Sequence, residues 1–454
     1  MKTTRQTLLF PVLVAIALSA PACDMDVPNL NALDLEEFQN NPTLPTLAEY
    51  SVGLMIGHRA GKAGGNGLVS ILGVIGRESY NFDPADPRYI TELLEAEALD
   101  GGSPAFGGNF WTLPYRNIRN SFIIEASLEA VPGLTEADNS SVRGYMQTVR
   151  ALDFLTIAVT RWNTDVPIDV NRDDTSDLAP LEPRTVLLDH IADLLDEAQG
   201  HLAQGGPEFP FALSLGFAGF DTPATFIQFN RAIAARVDAY REDWQGVMDA
   251  LGESFISSSA ADFNIGAYHV YSTGAGDAIN GLSNPNLYVH PAVMANAELK
   301  PNGAVDNRVA AKVVTLAEPI TVGGSLGNYS SSSRFAAYQD NVAPLAIIRN
   351  EELVLLRAEA NIGMGNYTDA ETDINLVRTA SGGLDPVTLD ANNAVDELLQ
   401  QRFYSLLFEG GHRWIDMRRY GRLDDLLLDD ENQGQTAHDT FPLPVDEVAA
   451  RNPT

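Results

Sequence analysis

Apolar residues recur at three- and four-residue spacing over much of the first half of the chain. This is the period of a helix with one buried face, and it predicts helices over residues 110–131, 142–159, 185–202 and 226–251. The turns between these segments are short, which favours antiparallel helical hairpins. The pattern therefore predicts a mainly α protein.

The clearest predicted hairpin spans residues 350–380. Helical spacing continues to Ile362, and Gly363 and Gly365 then supply turn conformations. Thr368 and Glu371 have the spacing of a capping box, which predicts that Thr368 caps a second helix. The segment GNYTDAETDI resembles the second helix of a tetratricopeptide unit, although no strict 34-residue period runs through the chain. We predict an α-solenoid scaffold of degenerate tetratricopeptide-like hairpins.

Residues 255–345 interrupt this helical pattern. Gly, Ser, Asn and Tyr are frequent there, and the helical period is lost, which predicts a loop-rich insertion with short hairpins. Residues 60–110 have a similar composition. Loops held by a rigid helical frame commonly carry binding residues, so both segments are candidates for a binding site.

The N-terminus is typical of a secretory signal. Lys2 and Arg5 precede an apolar run over residues 8–20, which is too short to span a bilayer. Cys23 follows and is the only cysteine, so it has no partner for an internal disulfide. We predict a lipoprotein signal peptide over residues 1–22 and lipidation of Cys23. The alternative is cleavage after residues 20–22, which would leave a free cysteine on a soluble secreted protein.

The charge balance excludes one class of partner. The chain has 61 acidic and 29 basic residues and a net charge of −32. Nucleic-acid binding requires clustered Lys and Arg, so this acidity argues against it.

No recognisable catalytic or metal-binding motif occurs in the sequence. HExxH, P-loop, GxSxG and CxxC patterns are all missing, and the seven histidines show no metal-ligand spacing. Asp169, Asn171, Asp173 and Asp177 resemble the start of a calcium loop, but Asp174 occupies the position that requires Gly, so a solvated acidic loop is favoured. We predict no catalytic residue, no metal and no cofactor.

Charged residues are dense in FEGGHRWIDMRRYGRL, residues 408–423. Gly410 and Gly411 interrupt a helical pattern, and opposite charges then interleave at short spacing. The stretch is either an active site or a set of ion pairs that stabilises the fold, and we favour the ion pairs. The residues concerned are Arg402, Glu409, Arg413, Asp416 and Arg418, together with Trp414.

This stretch and its surroundings resemble the SusD/RagB family of outer-membrane nutrient-binding lipoproteins. The family's late helix runs Arg, then Glu-Gly-x-Arg-Trp-x-Asp-x-x-Arg, and this chain has one extra residue between Gly410 and Arg413. The ending FPLPVDEVAARNP at residues 441–453 and the hairpin residues 349–360 and 374–378 are also similar to the family. The leader after Cys23 and the segments near Trp111 and Trp162 match more loosely.

The resemblance implies an organisation and a role. It implies one SusD-like domain over residues 23–454, with a helical part (23–254), the insertion (255–345) and the signature part (346–454). Such proteins lie on the outer face of the outer membrane, form a lid over a TonB-dependent transporter of the SusC type and deliver oligosaccharides or peptides to it without catalysis. In this family the signature stretch is scaffold. A helical-repeat envelope adaptor and a secreted glycoside hydrolase remain the alternatives.

Ligand contacts are expected from aromatic residues in the loops. All four tryptophans fall in scaffold motifs, so stacking on a sugar would come from Tyr and Phe, with Arg as hydrogen-bond donor. The candidates are Tyr80, Phe82, Tyr268, Tyr271, Tyr288, Tyr329 and Tyr338, with Arg77 and Arg334. The alternative for each is that it packs within its own loop.

Overall fold

The computed structural model of the chain describes residues 35–452, apart from residue 97, residues 103–106, residues 173–176, residues 429–431 and residue 433. The described residues form one compact unit that begins at Leu35. The signal peptide and the lipidation site at Cys23 lie outside the described residues.

Helices dominate the part that precedes the insertion. The elements are α1 (Leu35–Asn40), α2 (Leu44–Arg59), α3 (Leu68–Ile75), β1 (Ser79–Asn81), α4 (Arg88–Thr91), α5 (Asn109–Ser127), α6 (Glu136–Thr160), β2 (Val166–Pro167), β3 (Leu181–Glu182), α7 (Arg184–Ala203), α8 (Pro223–Arg241) and α9 (Trp244–Gly252). Consecutive helices from α5 to α9 pack against each other, in the pairs α5–α6, α6–α7, α7–α8 and α8–α9, as the predicted hairpins require. Thr43, Thr135 and Thr222 cap α2, α6 and α8, because each side chain accepts a hydrogen bond from the backbone N–H three residues later.

The prediction of a single helix over residues 226–251 is wrong. Glu242 adopts a left-handed conformation with φ of 60° and ends α8. Asp243 then caps α9 by accepting a hydrogen bond from the N–H of Gly246 at 3.0 Å. A helical period continues through this turn, so spacing alone did not reveal the break.

Helix α3 was missed by the sequence pattern. All eight of its residues are buried, so no polar face marks a helical period. It lies within the segment that composition had assigned to loops.

The insertion contains paired strands and two short helices. The elements are β4 (Gly266–His269), β5 (Leu287–Val289), α10 (Pro291–Ala295), α11 (Asn307–Lys312), β6 (Val313–Gly323) and β7 (Asn328–Phe335). The antiparallel pair β6–β7 is a hairpin of the kind that the sequence predicted. Strand β5 pairs with β1, which places Tyr288 opposite Tyr80 and ties the insertion to the earlier loop segment.

The C-terminal part returns to helices. The elements are β8 (Leu345–Arg349), α12 (Asn350–Gly363), α13 (Tyr367–Val377), α14 (Ala394–Ser405), α15 (His412–Arg419), α16 (Leu423–Leu428) and α17 (Val445–Arg451). Strand β8 pairs with β4 of the insertion. The described part is therefore mainly α, with strands only in two-stranded antiparallel pairs, which confirms the predicted fold class.

The hairpin over residues 350–380 is present as α12 and α13, but its predicted cap is wrong. Helix α13 begins at Tyr367 with Asn366 as its N-cap, so Thr368 lies within the first turn. The Glu371 carboxylate accepts a hydrogen bond from the N–H of Leu389 at 2.9 Å, instead of reaching back toward Thr368.

No helix in the described part of the chain combines the length and the apolar character needed to cross a membrane.

The turn between α14 and α15 brings α15 close to α3. Gly411 has a φ of +74°, and a Cβ at this position would lie 2.2 Å from the Cβ of Leu72. Both the conformation and the close approach therefore require glycine.

We expect Gly411→Ala to destabilise the chain by about 3 kcal/mol or more, because left-handed strain and the clash with Leu72 add together. Gly421→Ala is the matched control, since Gly421 has a φ of +65° and a Cβ added there would meet nothing within 4 Å. The control should lose only about 1–2 kcal/mol from strain. Urea unfolding of both variants measures the difference, and equal losses would contradict the close packing of α3 on this turn.

Candidate functional site

The signature residues Arg402 and Asp416 meet in a buried ion pair between α14 and α15. Arg402 Nε donates to Asp416 Oδ2 at 2.6 Å, and both side chains are at most 4% exposed. Glu359 of α12 joins them, 3.7 Å from Arg402 and 2.7 Å from Arg419. Of the charges that the sequence interleaves, Arg402 and Asp416 therefore pair with each other, and Glu359 and Arg419 complete a set that spans three helices.

Glu409 finds its partners outside the signature stretch. Its carboxylate pairs with Lys312 at 2.8 Å and with Arg349 at 2.8 Å. Burial raises the pKa of the Glu409 carboxyl, but Arg349 and Lys312 outweigh burial and bring the pKa down to about 2. Glu409 is therefore an anion that two cations hold in place.

The same two cations cap the C-terminus of α14. Arg349 donates to the carbonyl oxygen of Ser405 at 2.6 Å, and Lys312 donates to the same oxygen at 2.7 Å. A helix C-terminus carries unpaired carbonyls and partial negative charge, so cations are favourable there. Arg308 adds a hydrogen bond to the Ser405 hydroxyl at 3.1 Å.

The other signature residues pack in or against the core. Trp414 is fully buried and donates its indole N–H to the carbonyl of His438 at 2.7 Å. The Arg413 guanidinium lies over the ring of Phe403, 3.8 Å from its centroid. Arg418 donates to the backbone carbonyls of Asp439 and Val159 at 2.9 and 2.7 Å.

An open cleft of about 510 Å³ lies above the Glu409 ion pairs, between the insertion and the C-terminal helices. We call it the insertion cleft. Charged groups form its floor, and neutral residues form its rim. The floor consists of Arg308, Lys312, Arg349, Glu351 and Glu409, and the rim includes Asn264, Tyr268, Asn307, Ala337, Tyr338 and Pro344.

Two of the sequence-predicted ligand residues line this cleft. Tyr268 is half-buried, and its hydroxyl donates to the carbonyl of Asn264 at 2.6 Å. Tyr338 is buried, and its hydroxyl donates to the carbonyl of Phe408 at 3.2 Å. Of the seven predicted aromatic residues, Tyr268 therefore offers the most accessible ring.

The structure places six of the other candidates in the core and outside the lining of the insertion cleft. Each is at most 8% exposed, so the insertion cleft does not support its prediction as a ligand contact. The pairing of β1 with β5 buries several of these residues together. They are Arg77, Tyr80, Phe82, Tyr271, Tyr288 and Tyr329.

Arg334 is the last candidate and lies away from the cleft. It is half-buried, and its guanidinium donates to the hydroxyl of Tyr288 at 2.7 Å. The guanidinium also lies over the Tyr288 ring, 4.6 Å from its centroid. Its contacts support the strand pairs of the insertion.

The rim residues Asn264 and Asn307 were missed from sequence. Isolated asparagines in a loop-rich segment carry no spacing signal, and only the packing of β4 and α11 brings them to one cleft. Arg349 and Lys312 were missed for a similar reason, since they are 60 and 97 residues from Glu409 along the chain.

The carboxyl groups of the insertion cleft are unsuited to acid catalysis. Glu351 pairs with Arg349, and although burial raises its pKa, Arg349 outweighs burial and lowers the pKa below the ordinary value. The pKa of Glu409 is lowered as well, to about 2. A glycosidase needs one carboxyl group with a raised pKa as proton donor, and neither residue fits that role.

The residues that the structure describes contain no group of three or more His, Cys, Asp or Glu suited to a metal ion. In the described part of the acidic loop, Asp169 and Asp177 both pair with Arg172. Asp173 and Asp174 of the calcium-like pattern lie outside the described residues.

Comparison with known proteins gives a family match and a fold match. Residues 326–451 match the model of the SusD family. No curated protein matches the chain. The SusD/RagB resemblance is thus confirmed over the C-terminal segment, which contains all the signature residues.

Several solved structures share the fold at low sequence identity. A SusD superfamily protein from Bacteroides vulgatus is 15% identical, with 89% of this chain and 97% of that chain covered and a TM-score of 0.66. A laminarin-binding SusD-like protein is 15% identical, with the same coverage and a TM-score of 0.61. NanU from B. fragilis is 14% identical, with 93% and 97% covered and a TM-score of 0.60. The SusD-like fold therefore extends over most of the chain.

We expect Glu409→Gln to cost about 3 kcal/mol at pH 7, because it leaves two buried cations without their shared anion. The pKa of Glu409 is lowered on folding from an ordinary 4.5 to about 2, so its contribution is present above pH 4.5 and is lost as pH falls toward 2. The difference between the wild type and the variant should therefore shrink between pH 4.5 and pH 2 in urea unfolding.

Glu129→Gln serves as the control for this prediction. Glu129 pairs with Arg143, but its side chain is 79% exposed. Such a pair contributes little, so the control should stay within about 0.5 kcal/mol of the wild type. A pH-independent loss in Glu409→Gln would contradict the assigned ionisation.

Proposed function

We propose that this chain binds a carbohydrate nutrient at the cell surface and passes it to a transporter. The SusD family segment at residues 326–451 and the SusD-like fold around it support this proposal. The insertion cleft is the observation that carries the binding proposal. It is open, has a volume of about 510 Å³ and lies at the junction of the insertion with the family segment.

The chemistry of the cleft fits a neutral sugar. Its floor charges are satisfied by one another and by the C-terminus of α14, so they do not call for an ionic ligand. Recognition then falls to neutral groups at the rim, namely the ring and hydroxyl of Tyr268 and the side-chain amides of Asn264 and Asn307. An aromatic face together with amide donors and acceptors suits a sugar ring and its hydroxyl groups.

A structural neighbour suggests the first probe. The laminarin-binding SusD-like protein shares the fold, and its ligand is a carbohydrate. Laminarin fragments are therefore the first members of a panel of neutral oligosaccharides.

We propose binding without catalysis. The glycoside hydrolase alternative needs a proton donor beside the sugar, and both carboxyl groups of the insertion cleft have lowered pKa values. The adaptor alternative predicts that the cleft has no sugar ligand. The titration described below therefore distinguishes the adaptor from a sugar-binding protein.

We also propose that lipidated Cys23 anchors the chain to the outer membrane and that the partner is a SusC-like TonB-dependent transporter. An acyl anchor followed by a polar leader would hold the body at the membrane while leaving it free to move as a lid. This part of the proposal rests on the family resemblance.

We expect Tyr268→Ala to weaken binding of a laminarin oligosaccharide, or of another neutral oligosaccharide that binds the wild type, by about tenfold, because the aromatic face is lost. Tyr268→Phe should retain most of the affinity. Calorimetric titration of the full mature chain measures both.

Tyr367→Ala is the matched control for this titration, since Tyr367 is also half-buried but packs against α12 and α13 away from the cleft. Unchanged binding by Tyr268→Ala would place the ligand elsewhere. Release of reducing sugar during the titration would contradict a binding role and favour the hydrolase alternative. A panel without any ligand would favour the adaptor.

We expect a large β-barrel transporter to co-purify with the tagged chain from detergent-solubilised outer membranes. Cys23→Ala should move the chain to the soluble fraction and abolish this co-purification, because the lipid anchor is lost. Mass spectrometry of the N-terminal peptide provides the control by reporting acylation of Cys23. Isolation of the acylated chain without a partner would contradict the lid role.

A further inference from the structure

A second cleft, of about 650 Å³, shares no lining residue with the insertion cleft. It lies where the loop after α6 meets the start of α7, the end of α8 and the end of α15. We call it the arginine cleft. Its central residues are Trp162, Asn163, Arg184, Glu242, Arg418 and Asp439.

Arg184 enters this cleft without a carboxylate partner in the described part of the chain. Its guanidinium lies over the Trp162 ring, 3.9 Å from the centroid. Within the described residues, it donates hydrogen bonds only to the carbonyl of Trp162 at 3.3 Å and, weakly, to the amide oxygen of Asn163 at 3.5 Å. Arg184 is half-buried, so its remaining N–H groups are available to a ligand.

Arg418 brings a second positive charge to the same ring. Its guanidinium lies 4.7 Å from the Trp162 centroid, and both of its hydrogen bonds go to backbone carbonyls. Its Nε has no hydrogen-bond partner within the described residues, although the side chain is only 6% exposed. Burial lowers the pKa of Arg418 well below its ordinary value, and the neighbouring charge of Arg184 lowers that pKa further. The two guanidinium groups therefore repel each other.

The other two arginines of the cleft are neutralised. Arg241 pairs with Asp189 and Asp238, both at 2.9 Å. Arg419 pairs with Glu359 at 2.7 Å. Arg184 and Arg418 therefore differ from Arg241 and Arg419, because only the latter two form ion pairs in the described part of the chain.

Two acids lie near the pair without forming an ion pair with it. Burial lowers the pKa values of Arg184 and Arg418, and this effect outweighs the opposing charges of Glu242 on Arg184 and of Asp439 on Arg418. Asp439 accepts a hydrogen bond from the amide of Asn163 at 2.8 Å and, among the described residues, forms no ion pair with either arginine. Glu242 is exposed and likewise forms no ion pair in that part of the chain. In a chain with a net charge of −32, two adjacent cations without a paired anion are unusual.

We propose that the arginine cleft binds a carboxylate group of a small ligand, with Arg184 as its direct contact and Arg418 as the charge beneath it. The planar guanidinium of Arg184 can donate two parallel hydrogen bonds to a carboxylate. Such a group occurs both in acidic sugars and in acidic peptides, and the probes below distinguish these sources. This site does not depend on the function proposed for the insertion cleft.

The test uses two charged probes and their neutral counterparts. Trigalacturonate is compared with its methyl ester, and acetylated, amidated triglutamate is compared with the corresponding triglutamine peptide. Titrations of the full mature chain at low ionic strength should show binding of one charged probe and at least tenfold weaker binding of its neutral counterpart. Added salt should weaken the interaction, because it screens the charges.

Two substitutions that should change the affinity in opposite directions locate the site. Arg184→Gln should weaken the charged probe at least tenfold, whereas Glu242→Gln should strengthen it severalfold by removing a nearby negative charge. Arg116→Gln is the control, since Arg116 is exposed and lacks an ion pair among the described residues. Thermal unfolding of each variant verifies folding.

Three outcomes would overturn the proposal. They are failure of both charged probes to bind the wild type, equal binding of a charged probe and its neutral counterpart, and unchanged binding by Arg184→Gln. Tyr268→Ala should leave binding of the charged probe unaffected. Failure at the arginine cleft is therefore distinguishable from failure of the proposed function.

Discussion

The buried ion pair between Arg402 and Asp416 is the interaction on which the C-terminal part of the fold depends. Together with Glu359 and Arg419, it joins α12, α14 and α15 through charges that are at most 4% exposed. Removing one partner from such a set leaves an uncompensated charge in the core and costs several kcal/mol. The three helices can therefore pack favourably only in the arrangement that brings all four groups together.

The turn that follows α14 extends this constraint to the insertion. Phe408 adopts a φ of +59° and stacks its ring on Phe335 of β7 with the centroids 3.9 Å apart. Glu409, the next residue, holds Lys312 and Arg349. The signature stretch therefore positions the floor of the insertion cleft and leaves its charges internally satisfied, which explains how a dense set of charged residues stabilises the structure.

The sequence predicted the parts of the fold that depend on local periodicity. The hairpin of α12 and α13 and the helices α5 to α7 follow from the spacing of their apolar residues. Of the four tryptophans in scaffold motifs, Trp111, Trp162 and Trp414 are buried, and Trp244 is half-buried against the core. Long-range contacts leave no such periodic signal. Tyr80 was assigned to a loop because its strand partner, Tyr288, lies more than two hundred residues away. Lys312 and Arg349, which pair with Glu409, were not predicted for the same reason, since both are far from it along the chain.

The two clefts differ in whether their charged residues are already paired with opposite charges. In the insertion cleft, Glu409 and Glu351 pair with Arg349, so the sugar that we propose as its ligand would gain little from carrying charge. In the arginine cleft, Arg184 and Arg418 keep unsatisfied positive charge within a strongly acidic chain. Because salt screens exposed charges beyond about 10 Å at 0.1 M, distant carboxylates would not prevent an anion from binding there. Charge pairing at short range, and not the net charge of the chain, is therefore the reason that we propose a different kind of ligand for each cleft.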